Sequence, residues 1–213
     1  MSLPPDIIQA LVRTIEIKDA STAAHTWRVV LYARAMAERL GLDAQMIRRV
    51  TYGASLHDLG KIDVPDGILT KPGRLTEEEF EIMKTHTTLG HDRLVRMGET
   101  DPVVLNLVRH HHERWDGAGY PDGLAGNDIP LSARLFSVID TFDALTSFRP
   151  YRQEVGEEAA ERAIGAIRSG SGSRYWPDAV ELFARMHDGG ELNWILHHYN
   201  DEAPVSEYSS LEH

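Results

Sequence analysis

MIRRVTYGASLHDLGKI, residues Met46 to Ile62, decides how this chain is read. Met46, Ile47, Val50, Ala54 and Leu56 recur at helical spacing and form one apolar stripe. The stripe runs into His57-Asp58 and breaks at Gly60, just ahead of Lys61. Taken alone, an adjacent His and Asp at a helix end is a solvated terminus. Its meaning depends on what the rest of the chain brings to the same place.

Working outward, the helical period persists nearly throughout. Ile7, Ile8, Leu11, Val12 and Ile15 mark a first helix behind Pro4 and Pro5, and Val29, Tyr32, Ala33, Met36, Ala37 and Leu40 a second, stopped by Gly41. Thr76 with Glu79 spells a capping box, so a fourth helix is expected from there to about His86. A fifth follows through Leu89, Leu94 and Val95, and Asp101-Pro102 opens a sixth that ends in His110-His111-His112. Ser132 is expected to cap a seventh through Phe136, Ile139, Phe142 and Leu145. Two more run from Glu157 to Ile167 and from Pro177 to Met186, and the tail from Asp188 is weakly periodic. Between them, residues 113–130 gather Gly117, Gly119, Pro121, Gly123, Gly126 and Pro130, a long ordered loop of the kind that lines a site. Strand-type alternation and internal repeats are absent. The expectation is an all-α single domain.

Composition narrows the chemistry. The 213 residues are 42% apolar and 26% charged, as in globular proteins. There is no cysteine, which excludes disulfides, thiolate metal sites and a cysteine nucleophile, and fits a reducing compartment. A net charge of −11 argues against binding long nucleic acid, while a small phosphorylated ligand stays open if local cations or metals offset the charge. No stretch reaches the roughly 18 apolar residues of a membrane span. Met1-Ser2-Leu3 reads as a vector-encoded start and Leu211-Glu212-His213 as the beginning of a purification tag, around a domain cut from a longer chain.

Eleven histidines are the unusual feature of this composition. His25, His57-Asp58, His86, His110-His111-His112 and Asp140 fall near ends or bends of five different helices. Asp140 stands in the apolar run Phe136-Ser137-Val138-Ile139-Asp140-Thr141-Phe142, where an unpaired carboxylate is costly. Helix bundles build metal sites by converging such side chains. Imidazole and carboxylate donors without thiolate suit Fe, Mn, Zn or Ni, and six or seven donors exceed one tetrahedral zinc, so two ions bridged by a carboxylate fit better.

The ordered series carries a family resemblance. Lys18-Asp19, Thr22, His25 and Arg28-Val29 are followed by His57-Asp58-Leu59-Gly60-Lys61-Ile62, Lys71-Pro72-Gly73, Leu75-Thr76, Glu79 and His86. Then come His111-His112-Glu113, Asp116-Gly117, Gly119-Tyr120-Pro121, Arg134, Asp140, Asp143-Ala144-Leu145 and Arg149-Pro150-Tyr151. Together these resemble the HD-GYP group of the HD superfamily of metal-dependent phosphohydrolases, over about residues 18 to 187. The resemblance implies a helical bundle of the HD type with a long Gly-rich loop. Residues 1–17 would be an N-terminal helix and vector start, and 188–213 a tail with a tag remnant.

It also implies an activity: hydrolysis of cyclic di-GMP to pGpG, or on to GMP, with two divalent ions, Fe or Mn before Zn or Ni, acidifying a water. One ion would be held by His57, Asp58 and Asp140 with His25 near it. Asp58 would bridge to a second held by His86, His111 and His112. Lys61 would place a cation on a phosphate oxygen. Tyr120, Arg149 and Arg152 would face phosphate or guanine. Asp143 would hold Lys61 or a ligand hydroxyl, and Glu113 would back a ligand histidine. Ser21 stands where three-metal members have Glu, which favours two ions. His110, His91, His187, His197 and His198 match no ligand position, and Asp19 and Trp176-Pro177 read as structural. Implied partners are cyclic di-GMP and proteins such as a diguanylate cyclase or a sensor or receiver domain, in the cytoplasm. Two other readings keep some of these features: an HD phosphohydrolase for another cyclic dinucleotide or nucleotide, and a non-catalytic interaction module.

Overall fold

The computed structural model describes residues 3–18, 23–147 and 157–198. Among them eleven α-helices follow in order: α1 (Pro5–Lys18), α2 (Ala23–Arg39), α3 (Ala44–Leu56), α4 (Asp66–Leu69), α5 (Glu77–Lys84), α6 (His86–Arg96), α7 (Pro102–His110), α8 (Leu131–Thr146), α9 (Glu157–Ser169), α10 (Pro177–Asp188) and α11 (Asn193–His198). No strand occurs among the described residues, only isolated bridges such as Asp116 with Ala125. The all-α expectation holds. No helix among them is long and apolar enough to cross a membrane.

Local chemistry sets the helix ends. Asp43 accepts from the Met46 amide at 2.8 Å, Thr76 and Glu79 form the reciprocal capping box, and Asp101 accepts from Val103 with Pro102 in the first turn. Gly41, at φ +76°, takes the left-handed turn that stops α2. Two boundaries differ from the sequence reading. His86 opens α6 instead of closing the preceding helix, because α5 ends at Lys84 and the chain turns at Thr85. Ser132 lies inside α8, whose N-cap is Pro130, and its hydroxyl donates to the Val103 carbonyl at 3.2 Å. The short α4 and α11, and a 3₁₀ turn at Leu59–Asp63, span too few residues to show a period.

Two apolar clusters hold the helices together. The larger joins α2, α8, α9 and α10 through residues such as Tyr32, Phe142 and Phe183, whose rings pack edge-to-face with centroids 5.0–6.0 Å apart. The smaller joins Ile15, Leu56, Leu59, Leu94, Val104 and Val108. α3 serves both: Val50 and Ala54 enter the first and Leu56 the second, so its C-terminal end is clamped on two sides.

A charged pair sits inside this packing. Arg28 of α2 donates Nε–H to Asp143 Oδ1 at 2.6 Å, and reaches Asp143 Oδ2 at 3.1 Å and the Ser147 hydroxyl at 2.6 Å through its NH2 group. Both side chains are buried, Asp143 completely. Burial opposes ionisation of Asp143, but Arg28 and then His25 outweigh it and hold the carboxyl far below its usual range. A depressed carboxylate pKa contributes stability that is present above the unfolded value of about 3.9 and is lost as pH falls towards the folded value. Asp143→Asn should therefore cost about 3–5 kcal/mol at neutral pH, as expected when one member of a buried pair is removed. The variant should also show a flatter decline of stability below about pH 4. Urea titrations of both proteins across that pH range check both outcomes.

Candidate metal centre

Four elements deliver imidazoles to one place. His57 follows the last turn of α3, His86 opens α6, His111 follows α7, and His25 lies in the first turns of α2. His57 Nδ1 donates to the Ala54 carbonyl at 2.8 Å, His86 Nδ1 to Met83 at 2.8 Å and His111 Nδ1 to Val108 at 2.9 Å. A carbonyl only accepts, so each of these nitrogens carries its ring hydrogen, and the Nε2 of the neutral ring is left with a lone pair. His25 uses the same device with a carboxylate, placing Nδ1 at 2.7 Å from Asp143 Oδ2.

The lone pairs face one another. His25 Nε2 lies 3.3 Å from His57 Nε2, and His86 Nε2 lies 3.3 Å from His111 Nε2. Two lone pairs at that distance repel each other unless a cation, whether a proton or a metal ion, lies between them. The surrounding groups point the same way. Asp58 Oδ2 is 3.2 Å from His57 Nε2, Asp58 Oδ1 is 3.6 Å from His86 Nε2, and Asp140 Oδ1 is 3.6 Å from His25 Nε2 and 3.9 Å from His57 Nε2. His112 packs against His111 with centroids 4.1 Å apart and the rings tilted by 44°, and its donor atom falls within 4.8 Å of those of His86 and His111. The donors thus form two groups, His25/His57/Asp58 and His86/His111/His112, with one Asp58 oxygen turned to each. This donor set fits divalent cations.

Protonation follows from the burial. Burial holds the His86, His111 and His112 pKa values down, that of His112 to about 4, so all three rings are neutral near pH 7. Burial opposes charge on His57 too, but Asp58 and then Asp140 overcome it and raise its pKa: the acids favour positive charge at this point. Asp58 stays ionised, its burial outweighed by His57 and Lys61.

A third group of donors differs. His110, Glu113 and Asp122 also lie within reach of one another, but Arg109 forks both Asp122 oxygens at 2.8 Å and Glu113 accepts from the Asp122 and Leu124 amides. These carboxylates already have partners. Glu113 is thus no support for a ligand histidine, as the sequence suggested; it fastens the Gly-rich loop.

Backbone proximity aligns the two donor groups. The 3₁₀ turn after Asp58 crosses α6 so closely that a Cβ on Gly60 would lie 1.8 Å from the His86 carbonyl oxygen and 2.6 Å from the Gly90 amide. Gly119 is as confined, with its Cβ position 2.3 Å from the Arg114 amide, and this folds the loop back so that Tyr120 reaches His112, centroids 4.9 Å apart. Burial, with Asp140 and Asp58 nearby, pushes the Tyr120 phenol above its usual range and keeps it protonated.

The expected ligands His25, His57, Asp58, His86, His111, His112 and Asp140 therefore come together. Lys61 pairs with Asp58 at 2.7 Å. Asp143 departs from expectation. It holds neither Lys61 nor a surface that a ligand touches, because Arg28, His25 and Ser147 occupy it behind the site. Arg28, which the sequence places in the ordered series without a role, stands one turn after His25 beside the apolar Val29-Val30-Leu31, and that apolar setting is the signal of a buried partner. Arg149, Arg152, Ser21 and Asp19 lie outside the described residues, as do the side chains of His197 and His198.

The HD domain family matches residues 9–179. The chain belongs to the HD domain family. This HD domain is 41% identical over 92% of its length to a cyclic di-GMP phosphodiesterase of Thermotoga maritima, covering 52% of that protein. It is also 41% identical over 84% of its length to the cyclic di-GMP phosphodiesterase response regulator RpfG of Xanthomonas campestris, covering 47% of it. It thus spans about half the length of the curated relatives it matches. Among solved structures, an HDG"Y"P protein from Bdellovibrio bacteriovorus superposes with a TM-score of 0.64 over 79% of this chain and 53% of that one, at 24% identity, which speaks to fold.

The glycine crossing gives a test of the architecture. Gly60→Ala should destabilise this HD domain by at least about 3 kcal/mol, since backbone atoms and not a flexible side chain occupy the space. Gly67→Ala, with nothing within 4 Å of the new Cβ, should stay within about 0.5 kcal/mol. Thermal and urea unfolding of the two variants check the contrast.

Proposed function

We propose that this HD domain, taken as residues 18–187, is a metal-dependent phosphodiesterase of HD-GYP type that hydrolyses cyclic di-GMP to pGpG. The observation that carries the reading is the two pairs of Nε2 atoms turned towards each other at 3.3 Å on either side of Asp58. One divalent ion would be held by His25, His57, Asp58 and Asp140, a second by Asp58, His86, His111 and His112. Fe or Mn suits this mixed imidazole and carboxylate set. When bound, such ions supply Lewis acidity, which lowers the pKa of water and neutralises phosphate oxygens.

The chain's own residues do the remaining work. The carbonyl bonds from Nδ1 keep three rings in one tautomer and orientation, so no reorganisation is needed as charge develops. Asp58, kept ionised, turns one oxygen to each donor group. Lys61 sits on Asp58, from where its ammonium contacts a phosphate oxygen of the substrate. Tyr120 closes the side next to His112 and excludes water there. Arg149 and Arg152 are assigned to the phosphates or guanine edges on the strength of sequence alone. In the reaction the water oxygen bonds to phosphorus, the bond from phosphorus to the ribose 3′ oxygen breaks, and that oxygen takes up a proton. The product is linear with a 5′ phosphate. A cyclic dinucleotide substrate supports assigning the protein to the bacterial cytoplasm.

Protein loaded anaerobically with Fe or Mn should convert cyclic di-GMP to pGpG, followed by chromatography, and chelation should abolish turnover. Asp58→Ala should lower kcat by more than about a hundredfold and bind less metal with the helical circular dichroism intact. A metal-loaded wild type that leaves cyclic di-GMP uncut over hours would overturn the reading.

A further inference from the structure

The histidine cluster does not account for what lies immediately outside it. Phe80, on α5, belongs to neither apolar cluster and is 47% exposed. Its helix is otherwise strongly acidic at its start, Glu77-Glu78-Glu79, so packing does not explain an exposed aromatic there. Its ring meets Tyr120 edge-to-face, centroids 6.2 Å apart at 85°. Tyr120 continues inward to His112 at 4.9 Å with only 33° of tilt. Lys84, four residues after Phe80 and so on the same helix face, places Nζ 5.6 Å from the Phe80 centroid and 5.7 Å from that of Tyr120. Glu81 holds the same ammonium at 2.6 Å. A chain of ring contacts thus runs from the His112 imidazole out to the exposed Phe80, with a cation beside its outer two rings.

We propose that Phe80, with Tyr120 and Lys84, forms a nucleobase ledge. One purine of the cyclic dinucleotide stacks on Phe80 while the Lys84 ammonium donates to its acceptor edge, anchoring the ring whose diester lies at the metal centre. This rests on the phosphodiesterase reading above. The chemistry also selects among bases. Guanine presents two acceptors, O6 and N7, to a lysine, whereas adenine presents a donor at N6 beside N7. Stacking is indifferent to the base, so Phe80 supplies affinity and Lys84 the preference for guanine.

Steady-state kinetics on Phe80→Ala, an exposed change that leaves both cores intact, tests the ledge. KM for cyclic di-GMP should rise about tenfold, the loss expected for one stacked base, with kcat changing far less. Phe80→Trp should restore KM, and bound metal should stay at the wild-type amount. Lys84→Met should erode the preference for cyclic di-GMP over cyclic di-AMP by roughly tenfold. An unchanged KM in Phe80→Ala, or a KM effect that tracks metal loss, overturns the ledge. Calorimetric binding of cyclic di-GMP separates the two claims. If wild type binds without turnover and Phe80→Ala binds more weakly, the ledge stands and hydrolysis falls. If wild type hydrolyses and both bind alike, hydrolysis stands and the ledge falls.

Discussion

An imidazole that gives its Nδ1 hydrogen to a carbonyl three residues earlier has a single direction left for its lone pair, and His57, His86 and His111 each make that donation at a helix end. The rest of the site depends on this. Because the carbonyls belong to the last turns of rigid elements, the Nε2 atoms are aimed before any ligand arrives, and they are aimed at one another. Packing enforces the arrangement: Phe136 lies 4.8 Å from the His57 ring and 6.1 Å from that of His111, so neither can swing away without opening the larger core. Such preorganisation suits charge stabilisation, since the cost of orienting the dipoles is met during folding.

Charge is layered around that arrangement. Behind it, the buried Arg28–Asp143 pair fixes α2 to α8 and fixes the tautomer of His25 in the same step. At the centre, Asp58 faces both donor groups and Lys61 leans on it. At the edge, Tyr120, Phe80 and Lys84 form a surface of a different chemistry, apolar faces with one cation.

Legibility varied with the kind of signal. The capping box at Thr76, the Asp101-Pro102 start and the Gly41 stop were readable because each is a local hydrogen-bonding or backbone requirement written in adjacent residues. The donor residues were readable as types, since acids and imidazoles in apolar runs need partners. Asp143 was misassigned for the same reason: its need for a cation was evident, but Arg28, which meets that need, is 115 positions away. Glu113 was misplaced because a carboxylate adjacent to ligand histidines looks like their support, whereas the loop curls back and presents its own amides.

What the chain's order of residues determined by itself was the helical class, most helix ends, the absence of thiolate chemistry and the set of candidate ligands, all consequences of short-range periodicity and side-chain type. Only the tertiary structure decided which donors face which, that Asp58 turns an oxygen to each group, and that Phe80 lies against Tyr120 at the rim. Those depend on where the 3₁₀ turn crosses α6 at Gly60 and how far the Gly-rich loop folds back. Such distances between remote backbones are set by the packing of two cores and leave no local trace in the sequence.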